Sequence, residues 1–255
     1  MTQWVRFTHG GKACHGSVQG DSVAVHDGLP WVDARPTGEL LPLADLPLLA
    51  PCAPGKIIGL WNNFRAAADK NGWAHPAEPL YFLKAPDSAI GHGQAIAAVA
   101  PEVGRVAYEG ELAIVIGRAA HRLAQEDAAA CIFGYTCAND LTAMEVLNRD
   151  PSFPQWTRSK SFPGFGAFGP WIDTTFDPAG ASLRTLVGGR ERQNYPLADM
   201  FFAPADLVWR LSQDMALAPG DLILCGTSLG VLPMKPGTTV EVVIDGLGTL
   251  SNRYG

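Results

Sequence analysis

Two carboxylates separated by one residue stand at the head of an apolar run, Tyr108-Glu109-Gly110-Glu111-Leu112-Ala113-Ile114-Val115-Ile116. Along an extended chain successive side chains alternate faces, so Glu109 and Glu111 point the same way. If the run is a buried strand, the two carboxylates repel each other and each loses its hydration. A divalent cation with oxygen ligands relieves both costs. The plain alternative is a pair sitting at the strand's solvated start, where charged residues are common. A third carboxylate, Asp140, follows the strand-like run Phe133-Gly134-Tyr135-Thr136-Cys137-Ala138-Asn139. Strand ends present ligands, although Asn-Asp is equally a turn signal. Three acidic ligands, with water completing an octahedron, suit Mg²⁺ or Mn²⁺.

Other reactive residue types offer less. The cysteines (14, 52, 131, 137 and 225) are odd in number and show no Cys-x-x-Cys spacing, which disfavours a disulfide scaffold or zinc knuckle and fits a reducing cytoplasm. His9, His15, His26, His92 and His121 share no ligand spacing and read as surface or loop histidines.

The elements that must carry the carboxylates are mostly strands. Trp4–Phe7 and Ser22–Val25 read as short strands around the Gly10-Gly11 turn. Pro51-Cys52-Ala53-Pro54 is a proline-flanked linker, and Lys56-Ile57-Ile58-Gly59 opens the next strand. We place a boundary there: a small strand-rich unit over 1–54 and a catalytic domain over 55–255. Phe64 to Asn71 is rich in helix formers, with Gly72 as its stop. Leu80–Leu83 and Tyr108–Ile116 read as strands, and Gln125–Ala130 as a helical segment. Leu222–Leu224, Val240–Ile244 and Thr249–Leu250 complete the strands, with a turn at Asp245-Gly246. Twenty prolines and 28 glycines suit strands and loops better than a helical bundle.

The chain has 255 residues, 47% of them apolar and only 17% charged, enough to bury a sizeable core. Its net charge of −6, without a dense basic stripe, gives no electrostatic footprint for nucleic acid. No apolar run is long enough to cross a bilayer, and the first residues lack the pattern of a signal peptide.

In register, these pieces resemble the fumarylacetoacetate hydrolase superfamily. The matching segments are Lys56-Ile57-Ile58-Gly59-Leu60, Asn63-Phe64, Phe82-Leu83-Lys84, the Tyr108–Ala113 strand, Gly134-Tyr135-Thr136, Asn139-Asp140, Gln155-Trp156 and Lys160-Ser161. They continue through Phe168-Gly169-Pro170, Gly220-Asp221, Gly226-Thr227 and Asp245 to Asn252. The resemblance implies a β-rich α/β fold, a mixed β-sandwich roll behind the small N-terminal β unit, usually as a homodimer. It implies Mg²⁺ or Mn²⁺ held by Glu109, Glu111 and Asp140, acting as a Lewis acid on a small-molecule 2-oxo acid and stabilising an enolate. Lys160 matches the active-site lysine, able to steady a developing oxyanion. Lys84, Gly226 and Thr227 match positions beside the substrate.

The pattern breaks at the lid. Many hydrolases and decarboxylases of the superfamily carry Asn-Tyr-x-x-His with a Glu three residues on, and this dyad activates water. Here the segment runs Asn63-Phe64-Arg65-Ala66-Ala67-Ala68-Asp69-Lys70, with Ala67 at the histidine position and Lys70 at the glutamate position. Alanine cannot serve as a general base. His75-Pro76-Ala77-Glu78 repeats the His-x-x-Glu spacing nearby and is the candidate substitute; the plain alternative is a surface-loop histidine before Pro79. After Asp140, Met144 and Leu147 replace polar groups usual in the superfamily. The leading expectation is a hydrolase cleaving a C–C bond in an acylpyruvate-type or 2-oxo-dioic acid. Its rivals are a decarboxylase or tautomerase/isomerase of such acids, which has less need of an activated water, and a non-catalytic oxo-acid binder.

Overall fold

Strands carry most of the chain in the computed structural model, which describes residues 2–255. An eleven-stranded mixed sheet forms the frame. From one edge it runs Arg35–Pro42, Ser22–Asp27, Lys12–Gln19, Gln3–His9, Gly166–Asp173, Ile132–Asp140, Gly110–Ile116, Leu222–Leu224, Ile57–Trp61 and Leu80–Lys84, with Ala89–Ile90 pairing on Gly166–Asp173. A four-stranded sheet of Arg190–Pro196, Ser182–Val187, Thr238–Ile244 and Gly248–Tyr254 packs against it, and Thr142–Ala143, Val106–Ala107 and Pro233–Met234 make a third, small sheet.

The hydrophobic pattern explains this arrangement. Gly110–Ile116 is buried along its whole length, and it is flanked by Ile132–Asp140 on one side and Leu222–Leu224 on the other. Such a strand has no solvated face, hence its unbroken apolar run. Leu112, Ile114 and Ile116 point into the core shared with Leu183, Val242, Ile244 and Leu250 of the four-stranded sheet. Ala113 and Val115 point the opposite way, against Ile57, Phe168 and Ile172.

Several expected elements form as read. The helix covers Arg65–Asn71, and Gly72 ends it at φ 68° in the left-handed region that favours glycine. Thr238–Ile244 and Gly248–Tyr254 form the closing hairpin. Others differ. The expected Tyr108–Ile116 strand begins only at Gly110, because the Val106–Ala107 segment pairs into the small sheet instead. Gln125–Ala130 is not one helix but two successive 3₁₀ turns, Gln125–Asp127 and Ala129–Cys131. The N-terminal strands extend the main sheet through the register Gln3↔Asp173 and Trp4↔Ile172, while Val5, Phe7, Val23 and Val25 form a cluster of their own. No described helix is long and apolar enough to cross a membrane.

Candidate active site

The break in the strand at Glu109 places the carboxylates. Glu109 sits between the two strand segments, its N–H donating to Asn139 Oδ1 at 3.0 Å and its carbonyl accepting from Asp140 N–H at 2.9 Å. Glu111 lies opposite Ala138 in the register with Ile132–Asp140, and Asp140 ends that strand. The three carboxylates therefore converge, each offering one oxygen within 4.8 Å of the others. Gly110 between the two glutamates is required by space: a Cβ there would lie 2.0 Å from Thr185 Oγ1.

Two lysines close on the cluster. Lys160, on the short helix Trp156–Lys160, donates to both Glu109 carboxylate oxygens at 2.9 Å and to Asp140 Oδ2 at 2.8 Å. Lys84 donates to Asp140 Oδ1 from the opposite side. Thr142 Oγ1 donates to Glu109 Oε1, and the Gly226 N–H donates to Glu111 Oε2 at 2.7 Å. Glu111 Oε1 is buried with no hydrogen-bond partner.

These surroundings set the charges. Burial, reinforced by Asp140 and Glu109, pushes the Glu111 carboxyl well above the usual carboxylate range. Burial also raises Glu109, against the pull of Lys160. Asp140 is equally buried, but the Lys160 and Lys84 ammoniums outweigh that burial and hold it below its ordinary value. For Lys160 burial favours the neutral amine, yet Asp140, Glu109 and Glu111 raise it above the normal lysine value, so it stays charged. Lys84 is lowered by its burial despite Asp140.

An orphaned buried carboxylate oxygen beside two other carboxylates is the donor set a hard divalent cation completes. Glu109, Glu111 and Asp140 fit such an ion by chemistry and by convergence.

The cluster opens into a cavity of about 360 Å³, within the size range of small-molecule sites. Glu109, Lys160, Thr142 and Thr227 form its polar end; Trp61, Trp73, Phe82, Trp156, Leu147 and Leu229 line much of the remainder. Ala67 contributes to the wall from the Arg65–Asn71 helix. That helix is anchored by Asn63, which donates to Cys225 O at 2.8 Å and Phe202 O at 3.2 Å, and by Asp199, which accepts from Ala66 N–H at 2.9 Å.

The structure brings together Glu109, Glu111, Asp140, Lys160, Lys84, Gly226 and Thr227. Glu109, Lys160 and Thr227 line the cavity, while Glu111, Asp140, Gly226 and Lys84 are buried behind them, the Lys84 ammonium on Asp140. The two remaining candidates do not reach the cluster. His75 is exposed; its Nε2 pairs with Asp69 Oδ1 at 2.7 Å, not with Glu78, and its ring packs on Phe201. Glu78 faces a neighbouring depression beyond Trp61 and Trp73. Pro76 and Pro79 turn this segment outward, so the His-x-x-Glu spacing meets no substrate cavity. Among the other histidines, His15 is a half-buried strand residue rather than a surface or loop one, and burial lowers it to about 4, while His92 stands in a turn as expected, its Nδ1 accepting from Ser251 N–H.

Sequence reasoning missed three contributors. Thr142 holds Glu109, as above. Gln193 accepts from Gly110 N–H at 3.0 Å and donates to Thr227 Oγ1 at 2.8 Å. Tyr195 donates its hydroxyl to Gly110 O at 2.5 Å. Gln193 and Tyr195 reach the site from the Arg190–Pro196 strand, more than eighty residues away in sequence. The segment Arg190–Pro196 is polar throughout apart from Tyr195 and Pro196, so no local pattern marks Gln193 or Tyr195 as buried. Cys225 beside the site is inert, since burial and then Glu111 hold its thiol well above the normal value.

Residues 56–254 match the family model for the fumarylacetoacetate (FAA) hydrolase C-terminal domain, and residues 2–51 match the Rv2993c-like N-terminal model. The chain belongs to the fumarylacetoacetate hydrolase family. Protein Rv2993c of Mycobacterium tuberculosis is 41% identical over 219 residues, covering 85% of this chain and 81% of that protein. Oxaloacetate tautomerase YisK of Bacillus subtilis is 34% identical over 227 residues, covering 84% and 74%. The crystal structure of a 5-carboxymethyl-2-hydroxymuconate delta-isomerase from Mycobacterium smegmatis superposes with a TM-score of 0.91 at 36% identity, over 99% of this chain and 98% of that one. Family membership rests on nearly the whole chain, and the expected β-rich roll is the fold these proteins share.

Proposed function

We propose that this protein is a Mg²⁺- or Mn²⁺-dependent isomerase or tautomerase of 2-oxo acids, moving a proton at the carbon next to the oxo group. The carrying observation is the cavity lining. Among the described residues its titratable side chains are Glu109 and Lys160 alone, and the wall position where a histidine is expected holds Ala67. Hydrolysis of a C–C bond needs a group to take a proton from water. Tautomerisation needs only enolate stabilisation and a proton carrier. The leading expectation of a hydrolase therefore yields to its rival, a reading also supported by the tautomerase and isomerase among the similar proteins.

Glu109, Glu111 and Asp140 would hold the cation, whose contribution is Lewis-acid polarisation of the 2-oxo group. Lys160 faces the cavity beside them as a charged ammonium. Its charge neutralises the negative charge developing on the substrate oxygen. In the enol-to-keto direction its Nζ gives a proton to the substrate carbon, and the proton released from the enol oxygen returns to Nζ through the Glu109 carboxylate 2.9 Å away, so that one O–H breaks for each C–H formed. Thr142 fixes the orientation of the Glu109 carboxylate. The aromatic walls lower the local dielectric, which strengthens each of these charges.

The test is solvent deuterium exchange at C3 of simple 2-oxo acids such as pyruvate, followed by NMR with Mg²⁺ or Mn²⁺ and again after chelation, beside acetate release from acetylpyruvate. Metal-dependent exchange without acetate release is expected. Rapid acetate release would restore the hydrolase reading, and no exchange with any acid would remove the proposal.

A further inference from the structure

Resting on that reading of the site, we infer that the acid handled here carries a single carboxylate and an uncharged, aromatic tail. The cavity is charged at one end only. Lys160 is the one cation lining it among the described residues, and its ammonium is already committed to Glu109 and Asp140 at 2.8–2.9 Å. Moving outward from Lys160, the wall is aromatic in succession. Lys160 Nζ lies 5.0 Å from the Phe82 ring centroid, and Phe82 stacks on Trp156 at 5.2 Å with the planes 14° apart. Trp156 meets Trp61 at 6.2 Å, and Trp61 meets Trp73 at 5.1 Å.

A second carboxylate placed along this row would lose its hydration against ring faces whose quadrupoles are negative, with no cation to pair it. Beyond the row the charge has the wrong sign: the adjoining depression, which shares Trp61, Asn62 and Trp73, has Glu78 as its one charged lining residue. An aromatic ring meets the opposite situation, since offset and edge-on contacts with four rings are favourable.

Asn62 adds a polar detail. It sits at φ 56° and is 7% exposed, and its Nδ2 donates to Ala74 O at 2.9 Å. That carbonyl orients the amide, because a flipped side chain would set two oxygens against each other. The Oδ1 is then left buried without a partner beside the cavity. An unpartnered acceptor repels an anion and receives a donor, such as a phenol hydroxyl or an indole N–H on the tail.

Binding with Mg²⁺ present, read by calorimetry and by quenching of tryptophan fluorescence, tests the inference. Phenylpyruvate should bind about tenfold or more tighter than 2-oxoglutarate, which has the same oxo-acid head and a second carboxylate. Trp73→Arg, at a position 39% exposed and so tolerant of change, should narrow that ratio by about tenfold by offering a cation at the rim. Equal or tighter binding of 2-oxoglutarate to the unaltered protein overturns the inference, as does failure of both acids to bind. Deuterium exchange into pyruvate, which has no tail, reports separately on the reaction. If pyruvate exchanges while 2-oxoglutarate binds as well as phenylpyruvate, the tail inference alone fails. If phenylpyruvate is preferred but no acid exchanges, the reaction reading alone fails.

Discussion

Titrating the chelated protein with Mn²⁺ from about pH 5.5 to about pH 7.5 should show affinity rising with pH, because Glu111 must give up a proton to become a ligand. In the metal-free fold Glu111 is fully buried and faces Asp140 and Glu109, which together outweigh the Lys160 charge and the Gly226 N–H that favour its anion. It therefore holds its proton well above the usual carboxylate range. A divalent cation entering beside Lys160, which stays charged, adds positive charge to a buried site, and release of the Glu111 proton offsets part of it. One proton released per cation bound makes the dissociation constant fall about tenfold per pH unit, about 1.4 kcal/mol. The slope should flatten where Glu111 itself titrates. The stability effect has the opposite sign. Glu111 keeps its proton to higher pH folded than unfolded, so the folded chelated protein loses stability as pH rises above the ordinary carboxylate range, and saturating Mn²⁺ should remove that loss. Calorimetry in buffers of different ionisation enthalpy counts the released proton directly. A flat pH dependence of Mn²⁺ affinity, with no proton released, would refute the reasoning; Glu111→Gln should show that flat profile together with weaker binding.

Other substitutions probe the remaining parts. Lys160→Met leaves Glu109 and Asp140 without their shared ammonium and should cost about 3–5 kcal/mol of stability in chelator, measured by denaturant unfolding. The same variant should lose about 100-fold or more in C3 exchange even with metal restored. Gln193→Leu frees Gly110 N–H and Thr227 Oγ1 without touching a carboxylate, and should weaken Mn²⁺ binding about 10–100-fold while the circular dichroism spectrum is unchanged. Ala67→His combined with Lys70→Glu places a base and its partner on the cavity-lining helix; acetate release from acetylpyruvate should rise about 100-fold over the unaltered protein.

Much of the site was legible in the sequence, for identifiable reasons. A Glu-x-Glu pair preceding five apolar residues signals a buried strand with carboxylates at its head, although Glu109 itself lies outside the strand that starts at Gly110, and Asp140 carries a strand-end signal. The Arg65–Asn71 helix was readable from its composition and its terminal glycine. What stayed hidden depends on contacts far apart in the chain. Thr142, Gln193 and Tyr195 are ordinary polar residues until the fold lays them against Glu109, Gly110 and Thr227. The outward course of His75 follows from the prolines around it, a signal present in the sequence but outweighed there by the His-x-x-Glu spacing. Lys84 matches a family position, but that its ammonium meets Asp140 depends on the path of the Leu80–Lys84 strand, which no local pattern encodes. The helix Pro204–Asp214, absent from the elements read above, has its signals in a first-turn proline and in Leu207, Val208 and Leu211 buried at helical spacing.

Anomalous diffraction from crystals grown with Mn²⁺ tests the central claim most directly. The account predicts one strong manganese peak bonded at about 2.0–2.4 Å to oxygens of Glu109, Glu111 and Asp140, open toward the tryptophan-lined cavity. No peak at that cluster under saturating Mn²⁺, or a peak held by a different set of residues, would contradict it.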